Sequence, residues 1–177
     1  MGSPWKKSVA VTLESVSPLK YSITPTGSDP LPTSNGALVF DNQKHDGFDI
    51  DFTFTDSTNS GYLWPPNNLK DQAVWSKVGT SDACPGSPNT EVFHATGVDK
   101  SCTVLSVRNK NPSPAQGAFQ YTLCVTKDGG KTYFPLDPGG INNNGPITRW
   151  NVYAVALAAV ATVAVVAVVA YELGAFK

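Results

Sequence analysis

Three kinds of side chain in this sequence could do chemistry: two histidines, a group of aspartates and three cysteines. His45 and His94 stand far apart in the chain, and no further ligands at metal-binding spacing accompany them. Asp46, Asp49, Asp51 and Asp56 could offer oxygens to Ca²⁺. Asp56-Ser-Thr-Asn-Ser-Gly61 opens like a calcium loop, but Thr58 fills a ligand position and Asn67 stands where the bidentate glutamate belongs. Asp49 and Asp51 are better explained as the solvated face of a strand, where they also discourage mispairing. Cys84, Cys102 and Cys124 are odd in number, so any disulfide leaves a thiol over. Cys84 and Cys102 are the pair that could close a loop outside a reducing compartment. A Cys–His nucleophile needs a base beside the thiol, and His94 and Cys124 are the residues that would test it. No His-Glu-x-x-His, phosphate-cradling glycine loop, dinucleotide fingerprint or Gly-x-Ser-x-Gly occurs. The expectation is a protein without catalytic residues, cofactor or metal.

Aromatic side chains offer more. Tyr62-Leu-Trp64-Pro-Pro66 and Trp75 fall in stretches that read as loops, and Trp5 adjoins Lys6 and Lys7. Aromatics beside proline in loops form protein-docking hot spots, which marks Tyr62, Trp64 and Trp75. The competing reading has the same rings plugging the open ends of a β-sandwich.

The elements that must carry these residues are strands. Phe48, Ile50, Phe52 and Phe54 alternate with Asp49, Asp51, Thr53 and Thr55 at the period of a half-buried strand. Val9, Val11 and Leu13 repeat the pattern in residues 8–14, and Phe119, Tyr121, Leu123 and Val125 in residues 119–126. Weaker strands are expected at 21–23, 37–40, 92–95, 103–108 and 131–136. Between two of them, Lys127-Asp128-Gly129-Gly130-Lys131 has the chemistry of a hairpin turn that needs positive φ. Seven or eight strands and no soluble helix imply a mainly-β, antiparallel, Ig-like β-sandwich over residues 1–136. The Gly/Asn/Pro-rich stretch 137–149 then reads as a connector. Residues 1–148 carry a net charge of −2 without a basic cluster, which excludes nucleic acid as a partner.

Val152 to Tyr171 is a run of 20 residues without charge, including eight Ala and eight Val. As a helix it spans about 30 Å, the thickness of a bilayer's hydrocarbon core. Trp150, Tyr153 and Tyr171 sit at its ends, where aromatic rings prefer the headgroups. The expectation is one transmembrane helix over 150–172, with a tail at 173–177. Lys127, Lys131 and Arg149 outweigh Lys177, and no apolar signal segment opens the chain, so the N-terminal domain is expected in the cytoplasm. Ala154, Ala158 and Ala161 share one side of the helix and would let another membrane helix approach closely.

Certain phrases resemble an uncharacterised family of bacterial β-sandwich proteins. They are His45-Asp-Gly-Phe-Asp-Ile, Ser60-Gly-Tyr-Leu-Trp-Pro-Pro66, Ala83-Cys-Pro85, and Leu123-Cys-Val-Thr-Lys-Asp-Gly-Gly-Lys-Thr-Tyr-Phe-Pro-Leu-Asp-Pro-Gly-Gly-Ile-Asn-Asn-Asn-Gly145. The resemblance covers residues 8–145, implies the sandwich and brings no site residues with it.

Two functional expectations stand foremost. One is a non-catalytic accessory subunit of a membrane complex, for which a respiratory or photosynthetic assembly would be a natural host. Its partners would be integral membrane subunits and the lipid bilayer, met through Trp150, Ala154, Ala158 and Ala161 and through the loop aromatics. The other is a membrane-tethered binding module for a soluble protein or an envelope ligand. An enzyme with an unrecognised site is a distant third.

Overall fold

Alternation of apolar and polar residues builds two β-sheets that pack face to face. The computed structural model describes residues 4–34, 37–41, 47–78, 92–109, 117–136 and 139–143. The chain divides into two compact units, Met1–Asn144 and Gly145–Lys177, and all the described residues belong to the first. The helix expected over 150–172 therefore lies outside them. Among the described residues no helix is long and apolar enough to cross a membrane.

The strands are β1 (Trp5–Val16), β2 (Leu19–Thr26), β3 (Thr33–Ser34), β4 (Ala37–Asp41), β5 (Phe48–Asp56), β6 (Val74–Val78), β7 (Phe93–Val98), β8 (Val104–Asn109), β9 (Gly117–Val125), β10 (Phe134–Leu136) and β11 (Gly139–Asn143). A short 3-10 helix, Asn67–Gln72, precedes β6. Sheet 1 has the order β2-β1-β5-β8-β7. In sheet 2, β6 pairs with residues 119–123 of β9, overlapping the partners of both β10 and β11. A strand has only two edges, so β10 and β11 share the other edge of β9, and β4 and β3 follow β11.

Every strand expected from periodicity lies in or overlaps an observed one, but two features differ. First, the sheets are not wholly antiparallel. β1 runs parallel to β5 over nine residue pairs, from Trp5↔Phe48 to Leu13↔Asp56, and β4 runs parallel to β11. Alternation reports which face is buried and is blind to strand direction. Second, the stretch expected as a connector from residue 137 contains β11. Its backbone pairs with β9 on one side and β4 on the other. Ladder bonds come from the main chain, so Gly139, Gly140, Asn142 and Asn143 can supply them without the β-branched or aromatic side chains that signal a strand.

The core is an aromatic seam between the sheets. Phe48, Phe52 and Phe93 from sheet 1 face Phe40, Phe119 and Tyr121 from sheet 2, all essentially without solvent exposure. Phe93 is its centre, with ring centroids at 5.0 Å from Tyr121, 5.2 Å from Phe119, 5.7 Å from Phe40 and 6.3 Å from Phe52. At one edge the buried Ser76 of β6 joins the sheets, its Oγ accepting the N–H groups of Val92 (3.1 Å) and Phe93 (2.7 Å). Lys7 also occupies an inward position of β1, in series with Val9, Val11 and Leu13. Its stem runs inside while Nζ reaches Asp29, at 2.6 Å from Oδ2 and 2.7 Å from the carbonyl oxygen. Such snorkelling lets a long cationic side chain fill an inner position with its charge still paired.

Replacing Phe93 with Ala should remove the central ring and cost about 3–5 kcal/mol of stability. Urea unfolding of the two proteins measures this, and a cost below 1 kcal/mol would show that the seam is not continuous.

Candidate functional site

One end of the sandwich is built from four connections: Ser17–Pro18 between β1 and β2, residues 57–73 between β5 and β6, Asp99–Thr103 between β7 and β8, and residues 126–133 between β9 and β10. The segment 57–73 crosses from sheet 1 to sheet 2 as a strap, and main-chain bonds pin it to both. Leu63 exchanges N–H and C=O with Thr126 at 2.9 and 2.8 Å. The Trp64 N–H bonds the carbonyl of Cys102 at 2.9 Å. The Trp64 indole N–H donates to the carbonyl of Phe52 at 3.1 Å, and its ring packs 5.3 Å from Phe54.

This settles where the loop aromatics go. Trp64 is 1% exposed, so it is a core residue that presents nothing to a partner. Its burial is what closes this end of the sandwich. Trp75, by contrast, is not in a loop; it is a half-buried residue of β6, opposite Thr122 of β9. The indole N–H of Trp75 and the hydroxyl of Thr122 are buried and have no hydrogen-bond partner among the described residues. Tyr62 is half-buried, with its ring 5.2 Å from Phe134 and the Lys127 ammonium 5.5 Å from the ring centre. Trp150, Ala154, Ala158 and Ala161 lie outside the described residues.

The strap exposes a residue that the aromatic reading passed over. In the extended run Tyr62-Leu63-Trp64, successive side chains point to opposite faces. With Trp64 inward, Leu63 faces out and is 40% exposed. Val16 (39%) and Leu19 (43%) are also exposed and form the last cross-strand pair of the β1–β2 hairpin, at this same end.

Three aspartates fix the turns around the strap. Asp56 Oδ2 accepts the Tyr62 N–H at 3.0 Å, and Oδ1 accepts the Thr58 N–H at 2.9 Å and the Thr58 hydroxyl. Burial raises its pKa, yet these bonds outweigh that and the net shift is downward. Asp99 accepts the Ser101 hydroxyl and the N–H groups of Thr103 (2.7 Å) and Val104 (2.8 Å). The Ser101 hydroxyl, followed by the Val104 N–H, holds the Asp99 carboxyl down at about 2. Asp128 accepts from the Thr132 hydroxyl and N–H, from the Thr126 hydroxyl and from the Lys131 N–H, and lies well below the usual carboxylate range for that reason. In this turn Gly129 and Gly130 have φ of +70° and +93°, as the Asp-Gly-Gly sequence requires.

The same accounting bears on calcium. Asp49 pairs with Arg108 (2.7 Å), Asp51 accepts the Ser106 hydroxyl (2.6 Å), and Asp56 is occupied by its own loop. No group of three or more potential metal ligands occurs among the described residues, and His45 and Asp46 fall outside them. His94 and Cys124, the residues that would test a Cys–His nucleophile, stand on different sheets. His94 is on the outer side of sheet 1, because Phe93 and Ala95 point inward. Cys124 is on the outer side of sheet 2, because Leu123 and Val125 point inward, and it is fully buried there. The thickness of a sandwich, about 10 Å between sheets, separates them. Cys102 carries a free thiol, and Cys84 is outside the described residues.

Asp99 gives this end a pH dependence. Its folded pKa lies below the ordinary 3.8, so its contribution is present above about pH 4 and is lost as pH falls through about 2. Asp99→Asn should lower stability at neutral pH by under about 1 kcal/mol, since solvent screens so exposed a group. The variant should also lose less stability than the parent between pH 4 and pH 2. Denaturant midpoints across that range provide the check, and parallel curves would remove Asp99 from the account.

Searched against models of known protein families and against characterised proteins, the chain matches none.

Proposed function

We propose that this protein is a non-catalytic, membrane-anchored accessory subunit. In this reading its β-sandwich docks on the extramembrane part of a partner, and a C-terminal helix packs among the partner's helices. The observation that carries the proposal is the uncharged run Val152–Tyr171, 20 residues of mostly Ala and Val, following a folded β domain. That length suits one bilayer crossing. Ala154, Ala158 and Ala161 suit close helix–helix approach more than contact with lipid alone. The N-terminal domain stands on the cytoplasmic side by the balance of flanking basic residues.

The sandwich contributes a docking surface centred on Leu63, with Tyr62 behind it. Both are held by the strap's bonds to Thr126, Cys102 and Asp56, so little conformational entropy is lost when a partner covers them. Tethering raises local concentration at the membrane, so a small patch suffices.

The same patch favours a second reading, a tethered module that captures a soluble protein. Purification of the tagged full-length chain in mild detergent separates the two. A stoichiometric set of integral membrane proteins supports the subunit, while soluble partners alone support the module. Ala158→Leu should weaken co-purification of membrane partners and leave insertion intact; unchanged recovery would end the helix-packing argument. Leu63→Asp should weaken association about 10-fold, as loss of a central apolar anchor does. Equal affinity of that variant would move the docking surface elsewhere.

A further inference from the structure

The two ends of the sandwich differ in where the chain leaves. β11 ends at Asn143, which pairs with Asp41 of β4, and Asn142 pairs with Phe40. The Phe40 ring meets Phe48 at 5.3 Å, and Trp5 stacks on Phe48 at 6.0 Å with an interplanar angle of 17°. The exit of β11 and the start of β1 therefore share one end. At that end Trp5 is 38% exposed, Lys6 is exposed beside it, and the Lys7 ammonium sits 4.1 Å from the centre of the Trp5 ring. β6 also finishes there, with exposed Lys77 and Val78, since Val78 pairs with Phe119 near the start of β9. Val16, Leu19 and Leu63 belong to the opposite end. β1 has 12 residues, which places Val16 about 36 Å from Trp5 at the rise of an extended strand.

We propose that the Trp5–Lys6 end is a lipid-contacting surface, lying against the headgroup layer of the membrane. The inference rests on the membrane-anchored reading above. Residues 144–149 separate β11 from the expected helix, and six residues reach at most about 20 Å when fully extended. β11 leaves the sandwich at the Trp5 end, so it is from that end, and not from the Leu63 end, that the tether starts. The chemistry at the near end fits. Tryptophan prefers the headgroup region, where its apolar ring and polar N–H are both accommodated. Exposed Lys6 and Lys77 add attraction to anionic lipid. The stack on Phe48 holds the Trp5 ring in place, so contact needs no rearrangement.

The full chain, reconstituted in phosphatidylcholine/phosphatidylglycerol vesicles, tests this through tryptophan quenching by lipids brominated close to the headgroup. Resistance to carbonate extraction reads the anchor separately. In carbonate-resistant protein, Trp5→Phe should remove about half of the lipid-quenched emission, because Trp5 and Trp150 are the two rings expected at headgroup depth. Val16→Trp in the Trp5→Phe background reports on the far end and should add only unquenched emission. If Trp5→Phe leaves the quenched emission unchanged, or if the residue-16 tryptophan is quenched as strongly as Trp5, the inference falls while the anchor stands. Protein released by carbonate overturns the membrane reading and the inference together.

Discussion

Phe93, Phe119 and Tyr121 meet ring to ring between the sheets, with Phe40, Phe48 and Phe52 around them, and the rest of the molecule is arranged by this seam. Each ring belongs to a strand whose alternate residues face solvent or a second layer, so burial of the seam fixes the phase of four strands, β4, β5, β7 and β9, at once. A slip of one residue in β5 would turn Phe48, Ile50, Phe52 and Phe54 outward and bring Asp49 and Asp51 into the core. That penalty, two buried carboxylates together with four lost apolar side chains, holds the register of β1 and β8 on either side. One polar group is carried along. The Tyr121 hydroxyl is buried without a hydrogen-bond partner among the described residues, and burial, with a smaller effect from Tyr21, keeps it protonated far above the ordinary range.

The seam also explains what could be read from the sequence. β5 and β1 announced themselves because one face of each is the more deeply buried, which leaves a period of two in the residue types; β9 keeps that period because Gln120 and Thr122 on its outer side are polar, although Thr122 and Cys124 are buried there. β6 did not, since Trp75 on its outer side is itself half-buried and the contrast with Val74 and Ser76 disappears. β11 gave even less, because its pairing rests on backbone groups that Gly and Asn carry as well as Val does. Trp64 misled for the opposite reason: two prolines beside it look like a loop, and they are one. The loop, however, is a strap that turns a large ring into the core, and the residue left outside is Leu63. Sequence composition reports how apolar a stretch is; only the strap's bonds to Thr126, Cys102 and Phe52 decide which of its side chains stays in water.

Among the candidate chemical residues, the aspartates were legible as to face and not as to role. Asp49 and Asp51 are on the solvated side of β5 as alternation requires, where Arg108 and Ser106 of β8 occupy them. Asp56, Asp99 and Asp128 end strands or begin turns, and each spends its oxygens on hydroxyl and N–H groups within a few residues. Such local bonds give the backbone a partner where the ladder stops. They look like ligand sets in one dimension because serine, threonine and aspartate at short spacing serve both purposes. In three dimensions the lone pairs are already taken.

The division of labour between the two ends follows from these details. The end carrying Leu63 is held by main-chain bonds between sheets and by carboxylate-capped turns, so its exposed apolar residues sit on rigid backbone. Rigid apolar side chains favour recognition of a shaped partner, because binding then costs little ordering entropy. The other end carries the Lys7 ammonium over Trp5, a ring that is apolar on its faces and wet at its rim, with exposed Lys6 and Lys77 at the same end. That combination suits an interface of graded polarity and no fixed shape, which is what a headgroup layer offers. On the proposal that one end meets a shaped partner and the other the headgroups, β1 keeps the two surfaces apart, since it places Trp5 and Val16 at opposite extremes of a single element.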